Sequence, residues 1–152
     1  MTESKLTAAH ANQPVDCVSY RLRRAARKAA RFYDTALRPS GLRNTQFSLL
    51  AALDVLGETS IGDLSEELAI DGTTLTRNLE ILVRRGLVEN IAAEDARVRN
   101  VRLTGLGKAT YEEAVPFWRE AQEHVLEALE PKRWTGMRAQ LHQIEAACDG
   151  GG

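Results

Sequence analysis

The chain has 152 residues, with 20 lysines and arginines against 21 aspartates and glutamates and a formal net charge of −1. A hydrophobic fraction of 43% is enough for a packed core, so global disorder is excluded, and this length fits one domain or one domain with appended helices. An aromatic fraction of 5% disfavours a β-sandwich, and no apolar stretch approaches the roughly 20 residues of a membrane span. The N-terminus lacks the pattern of a secretory signal, and two cysteines cannot form a disulfide framework, so we expect a cytoplasmic protein.

The charge is distributed unevenly along the chain. Residues 17–43 have eight basic residues against one acid, a net charge of +7, whereas residues 44–70 have five acids and no base. Residues 71–108 sum to +2 and residues 109–152 to −4. The near-zero total therefore does not exclude a nucleic-acid partner, because a polarised chain can still present a basic surface.

Two helices are predicted first. Apolar residues recur at helical spacing from Val15 to Leu37, and this segment ends before a Pro-Ser-Gly break. The second helix is predicted from a cap at Thr45 to Leu56, with Gly57 as its stop. Its expected core face consists of Phe47, Leu49, Leu50, Leu53 and Leu56. Residues 1–14 are polar and aperiodic, and we expect a flexible tail there.

A helix-turn-helix with a hairpin is predicted next. A short helix with Ile61, Leu64 and Leu68 on one face is followed, after Asp71-Gly72, by a helix from Thr73 or Thr74 to Arg85. Strands are predicted at 87–92 and 98–103, since the latter alternates apolar and polar residues. The sequence therefore indicates a mainly α fold with a small β-hairpin wing, a winged helix-turn-helix.

Two further helices complete the predicted fold. Thr104 caps a helix over 105–129 that contains Pro116, and Pro131 begins a last helix to about Ala147. Both have apolar faces that a lobe of about sixty residues cannot cover, so a second copy of the chain is expected to cover them. The expected interface residues are Leu126, Leu129, Trp134, Met137, Leu141 and Ile144. We accordingly divide the chain into a winged-helix DNA-binding lobe at 38–103 and dimerisation helices at 15–37 and 104–148.

These segments resemble the MarR family of winged-helix regulators over about residues 17–147. The resemblance rests on the order and spacing of four stretches, 73–79, 85–88, 95–97 and 101–104, together with Gly107. It implies a homodimer whose terminal helices interlock below two lobes, with double-stranded DNA as the partner. The sequence shows no nucleophile–base pair, phosphate loop or metal-ligand spacing, so neither an enzyme nor a cofactor or metal site is expected.

The residues expected to contact DNA lie on the second helix of the motif and in the wing. Thr73, Thr74 and Thr76 can contact a thymine methyl group or phosphate, and Arg77 can bind guanine or phosphate; the alternative is that the threonines only cap a surface helix. In the wing, Asp95 is expected to hold Arg97 for the minor groove, with Arg99 on phosphate. Two such lobes would bind a pseudo-palindromic operator, and repression by occluding a promoter is the natural mechanism.

The sequence is compatible with more than one signal for release of the DNA. The resemblance implies a small aromatic or amphipathic anion, for which the candidate pocket residues are Tyr20, Arg24, Tyr33, Phe47, Phe117 and Trp118, although aromatic residues at helical spacing are also typical of a core. A thiol-based peroxide response is the alternative, because Cys17 begins an arginine-rich helix and resembles in position the sensing cysteine of organic-hydroperoxide regulators, with Cys148 as a possible partner thiol. A third alternative is a winged helix that contacts only proteins.

The first helix carries a basic stripe, which we define as Arg21, Arg24, Lys28 and Arg31. The stripe can follow phosphates, attract an anionic ligand, or pair with the acidic residues of 109–152 across a dimer. We favour the pairing, because the acidic segments must pack near this helix.

Overall fold

The computed structural model describes residues 13–14, 17–92 and 98–149. Its elements in chain order are α1 (Val18–Leu37), a 3-10 turn (Arg38–Ser40), α2 (Asn44–Leu56), β1 (Thr59–Ser60), α3 (Ile61–Glu67), α4 (Gly72–Arg84), β2 (Val88–Ala92), β3 (Arg99–Leu103), α5 (Gly105–Leu129) and α6 (Pro131–Asp149). The mainly helical winged-helix fold predicted from the sequence is confirmed. Within the described ranges, no helix combines the length and the apolar character that crossing a membrane requires.

The wing is part of a three-stranded antiparallel sheet in the order β1-β3-β2. β2 pairs with β3 from Val88 opposite Leu103 to Ala92 opposite Arg99, and Thr59 of β1 pairs with Val101. β1 was not predicted, since two residues are too short for an alternating pattern to be recognised.

Leucines from α2, α3 and α4 form most of the core of the lobe. The buried residues there include Leu49, Leu50, Leu53, Leu64, Leu75, Leu79, Leu82, Val88 and Val101. The prediction for Leu56 was wrong, because the last turn of α2 projects past this core and leaves Leu56 41% and Val55 84% exposed.

The start of α2 differs from the sequence prediction because another helix contributes to its cap. α2 begins at Asn44 rather than after a Thr45 cap, because the Asn44 N–H donates to Asp34 Oδ1 of α1 at 2.7 Å. The Arg43 N–H donates to Gln46 Oε1 at 3.0 Å. Periodicity along α2 cannot predict a cap that comes from a different helix.

The terminal helices are covered much less than the lobe. Leu37 is the buried residue of α1, and none of the described side chains of α6 is buried. An apolar groove of about 320 Å³ lies between α1, α5 and α6. We call it the terminal groove. It is lined by Leu22, Ala25, Ala26, Ala29, Tyr33, Gln122, Val125, Leu126, Leu129, Trp134, Met137 and Leu141.

Candidate nucleic-acid interface

The solvent-facing side of α4 follows from its helical repeat. Leu75, Leu79 and Leu82 are buried, so residues on the opposite side of the helix project outward. This outer stripe of α4 consists of Thr73, Thr76, Arg77, Glu80 and Arg84, all exposed except the partly buried Thr76. The stripe runs along about three turns of the helix, and an α-helix fits into a DNA major groove.

The N-terminus of α4 is fixed by Asp71 rather than by a threonine. The helix begins at Gly72, and the Thr74 N–H donates to Asp71 Oδ1 at 2.9 Å. Hydrogen bonds from the Thr74 hydroxyl and backbone N–H hold the pKa of Asp71 below its usual value. The prediction that Thr73 or Thr74 begins this helix was therefore wrong by one or two residues, because an aspartate can accept from the N3 N–H as a cap.

Two of the predicted contact residues already make hydrogen bonds within the helix. Thr76 Oγ1 donates to the Gly72 carbonyl at 2.7 Å, and the Thr74 hydroxyl donates to the Asp71 carboxylate. Their oxygens and methyl groups stay available to a partner, whereas Thr73 and Arg77 project fully into solvent. We therefore expect Arg77 to be the strongest contact among the predicted residues of α4.

The wing places one predicted contact residue beside α4. Arg99 is exposed at the start of β3, and its Nη2 donates to Asn90 Oδ1 of β2 at 3.3 Å. Asp95 and Arg97 lie outside the described residues. Arg102 pairs with Glu89 at 2.8 Å, and this hydrogen bond raises the pKa of Arg102.

A cleft of about 200 Å³ separates α4 from the wing. It is lined by Ile61, Thr76, Leu79, Glu80, Val83, Arg84, Asn90 and Arg99. Arg84 and Glu80 were missed as candidate contacts, although their spacing of seven and three residues from Arg77 places them on the same side of the helix. The contacts predicted on this helix from the sequence all lie in its first turns, whereas Glu80 and Arg84 lie in its second half.

The six residues predicted to form one ligand pocket are found in separate places. Phe47 is only 5% exposed and stacks on Trp118, with ring centroids 6.0 Å apart, so both belong to the packing between α2 and α5. Tyr33 lines the terminal groove, where its hydroxyl donates to Gln122 Oε1 at 2.5 Å. Burial raises the pKa of Tyr33.

A second groove, of about 340 Å³, contains the remaining aromatic candidate of α5. Phe117 lines it together with Phe32, Glu120 and His124, and the rings of Phe32 and His124 stack at 5.3 Å. Tyr20 and Arg24 are half-buried on the first two turns of α1, away from Phe47. The prediction that these six residues line one pocket is therefore wrong. Successive residues of one helix, such as Phe117 and Trp118, point in directions about 100° apart and so face different surroundings.

Both cysteines are exposed, near opposite ends of the described chain. Cys17 is the N-cap of α1, and its Sγ accepts from the Tyr20 N–H at 3.3 Å. Cys148 lies in the last turn of α6. No group of three metal-ligating side chains occurs among the described residues.

The basic stripe of α1 projects mostly into solvent. Among the described residues, no carboxylate of the same chain forms an ion pair with Arg24, Lys28 or Arg31. Asp54 of α2 and Glu112 of α5 both pair with Lys108 instead. Pairing of the stripe with a second chain stays a prediction.

Known proteins that are similar to this chain are transcriptional regulators. A sequence model described as the MarR family matches residues 40–97. The uncharacterised HTH-type transcriptional regulator YwoH of Bacillus subtilis is 30% identical over 94 residues, which are 62% of this chain and 69% of YwoH.

Two solved structures extend the similarity to most of the chain. The Mycobacterium tuberculosis transcriptional regulator MosR in complex with DNA is 42% identical, with a TM-score of 0.77, over 88% of this chain and 98% of that one. The Bordetella bronchiseptica protein BpsR, whose DNA binding is regulated by 6-hydroxynicotinic acid, is 28% identical, with a TM-score of 0.77, over 88% of this chain and 97% of its own.

Proposed function

The chain belongs to the MarR family of DNA-binding transcriptional regulators, and on this premise we propose that it is a homodimeric repressor of a pseudo-palindromic operator, released by a small aromatic or amphipathic ligand. In this proposal residues 38–103 form the DNA-binding lobe, and 15–37 with 104–148 form the dimerisation helices. A DNA partner and two free thiols favour the reducing cytoplasm as its location.

The observation that carries the proposal is the outer stripe of α4 beside a basic wing strand. Arg77 and Arg84 project from one side of α4, and Arg99 projects from the neighbouring wing across the cleft. A helix of this kind enters the major groove while the wing contacts the backbone or the minor groove. These arginines supply the positive charge that a chain of net charge −1 lacks overall.

The terminal groove supports the homodimer. Three helices converge there with apolar side chains, and α6 leaves its described residues outside any core of its own chain. A monomer rarely exposes a contiguous apolar surface of this kind, and a two-fold related copy is the economical cover. Two lobes related by a two-fold axis then contact half-sites about one helical turn apart.

Selection of bound duplexes from a random DNA pool tests the proposed DNA recognition. We expect wild-type protein to enrich a pseudo-palindrome, and Arg77→Ala and Arg97→Ala to weaken binding of it by at least about tenfold, because each removes a base or phosphate contact. The unfolding temperature should stay nearly unchanged, since both arginines are surface contacts in this proposal. Arg119→Ala, an exposed arginine of α5, is the matched control.

No enrichment by wild-type protein would overturn the proposal and favour the protein-interaction module. Full binding by both variants would show that the contacts lie elsewhere.

The groove beside Phe32 and Phe117 is the proposed binding site of the ligand that releases the DNA. Aromatic rings from α1 and α5 line a space large enough for one small aromatic molecule, and His124 contributes an imidazole that can hydrogen-bond with a carboxylate. DNA binding by the similar protein BpsR is regulated by 6-hydroxynicotinic acid, which supports a small aromatic acid as the ligand of the present protein. Repeating the selection with added phenolic and pyridine carboxylic acids tests it, and unaltered enrichment with every acid would contradict it.

A peroxide response is the second candidate, favoured by the exposed Cys17 at the start of α1. In this alternative, oxidation of the thiol releases the operator. Cys17→Ser protein that still releases DNA after peroxide treatment would exclude Cys17 as the sensor.

A further inference from the structure

One residue of the outer stripe of α4 has a charge opposite to that expected for a DNA-facing surface. Glu80 lies at the centre of the stripe, one turn after Thr76 and Arg77 and one turn before Arg84, and it is exposed. On the opposite side of the helix lie the buried leucines, so the carboxylate projects toward whatever α4 contacts.

Glu80 has no ion-pair partner within the described part of the chain, although arginines surround it. Arg84 and Arg99 line the same cleft, yet the Arg99 guanidinium donates to Asn90 Oδ1 at 3.3 Å. Glu89 of the wing, by contrast, is paired with Arg102 at 2.8 Å. The carboxylate is therefore free to accept hydrogen bonds from a partner of α4.

A carboxylate in this position is costly against DNA unless it accepts from a donor. Phosphates repel it, and guanine and thymine present acceptors at the major-groove edges that it would approach. Cytosine N4 and adenine N6 are the donors on the major-groove edge, and glutamate pairs characteristically with the cytosine amino group. Each base pair presents one of these donors, so the carboxylate is tolerated only where the base that it faces is the one with the amino group.

We infer that Glu80 is a specificity-determining residue that requires a cytosine under the middle of α4, while the flanking arginines provide affinity. The inference rests on the proposed entry of α4 into the major groove. Glu80 restricts which operators are bound by accepting from cytosine N4, and at sites without this donor its charge opposes binding.

The test compares wild-type, Glu80→Ala and Glu80→Gln protein in selection from a random DNA pool, followed by measurement of Kd for the selected and for unrelated duplexes. Wild-type protein should enrich a cytosine at one position of each half-site. Glu80→Ala should lose that preference by about tenfold or more and bind unrelated duplexes more tightly, since a repulsive charge is gone. Glu80→Gln should favour adenine there, because glutamine binds adenine N6 and N7.

Glu123→Gln, which removes an exposed carboxylate of α5, is the charge control and should enrich the wild-type motif. The same motif from wild-type and Glu80→Ala protein, at any affinity, would overturn the inference and leave the proposed function intact. Failure of wild-type protein to enrich any motif would overturn both. Circular dichroism of each variant checks that an altered motif reflects recognition by a folded protein.

Discussion

Gly107 shows how one residue fixes the junction between the wing and the long helix α5. Its backbone lies against Leu87, so that a Cβ at this position would be 1.9 Å from the Leu87 carbonyl oxygen. No real structure contains such a contact, and the obstacle is backbone rather than a flexible side chain. Only glycine allows α5 to approach the start of β2 this closely.

Gly107→Ala should therefore destabilise the protein by about 1–3 kcal/mol, the usual cost of overpacking a filled interior. Urea denaturation followed by circular dichroism measures it. Gly105→Ala is the matched control on the same helix, because a Cβ there meets nothing within 4 Å. Equal stability of the two variants would show that β2 can move away at little cost.

The same junction contains Thr104, whose predicted capping role is confirmed by its geometry. Its Oγ1 accepts from the Gly107 N–H at 2.9 Å and donates to the Gly86 carbonyl at 2.6 Å. The sequence pattern predicted the first bond, since a threonine directly before a helix is a typical N-cap. The hydrogen bond to Gly86 depends on the position of the turn after α4, and no local sequence pattern predicts that position.

At the scale of elements, the capping of α4 makes its stability depend on pH. Asp71 accepts hydrogen bonds from Thr74, which hold the pKa of Asp71 below its usual value. A lowered pKa in the folded state stabilises that state above the pKa of the unfolded chain. This contribution is lost as the pH falls through the folded pKa.

We expect Asp71→Asn, which keeps an accepting oxygen without a titratable charge, to differ from wild type most at neutral pH. The difference in unfolding free energy should shrink as the pH falls below about 4. Urea unfolding at several pH values checks this. Asp71→Ala, which loses the acceptor, should be less stable than Asp71→Asn at all of these pH values, and a pH-independent difference between wild type and Asp71→Asn would contradict the assignment.

The elements differ in how well their bounds could be predicted. α5 begins and ends as predicted, because a threonine cap and a following proline mark its limits. α1 begins at Val18 rather than Val15 because the adjacent Cys17 caps it, whereas the contribution of Asp34 to the start of α2 and the pairing of β1 were not foreseen. Caps and strands that other elements supply are tertiary features, so local periodicity does not contain them.

At the scale of the whole molecule, the terminal groove predicts that dimerisation and operator binding are coupled. Leu126 is half-buried in this groove. Leu126→Glu places a charge in the proposed interface, and desolvating it there is costly. We expect a monomer in analytical ultracentrifugation and operator binding about 100-fold weaker, because two linked lobes gain affinity from a second, effectively intramolecular contact.

Leu106→Glu is the control for this variant, since Leu106 lies on the same helix, is 59% exposed and does not line the groove. It should remain dimeric. A dimeric Leu126→Glu protein, or a monomeric one with full operator affinity, would contradict the coupling.

The sequence by itself determined the winged-helix fold and the outward position of Arg77, because helical and strand periodicities and turn residues are local properties of the chain. The family followed from the resemblance of four short stretches and Gly107 to known regulators. The tertiary structure decided which candidates lie together. It assigned Phe47 and Trp118 to the core, separated Tyr33 from Phe117, and brought Glu80 and Arg84 to one cleft with Arg99 of the wing. Such proximity depends on how helices and strands pack, and residues distant in sequence carry no local signal of it. The uneven distribution of charge behind the net charge of −1 is evident from segments of the sequence, whereas the tertiary structure decided which of these charges lie together on one surface.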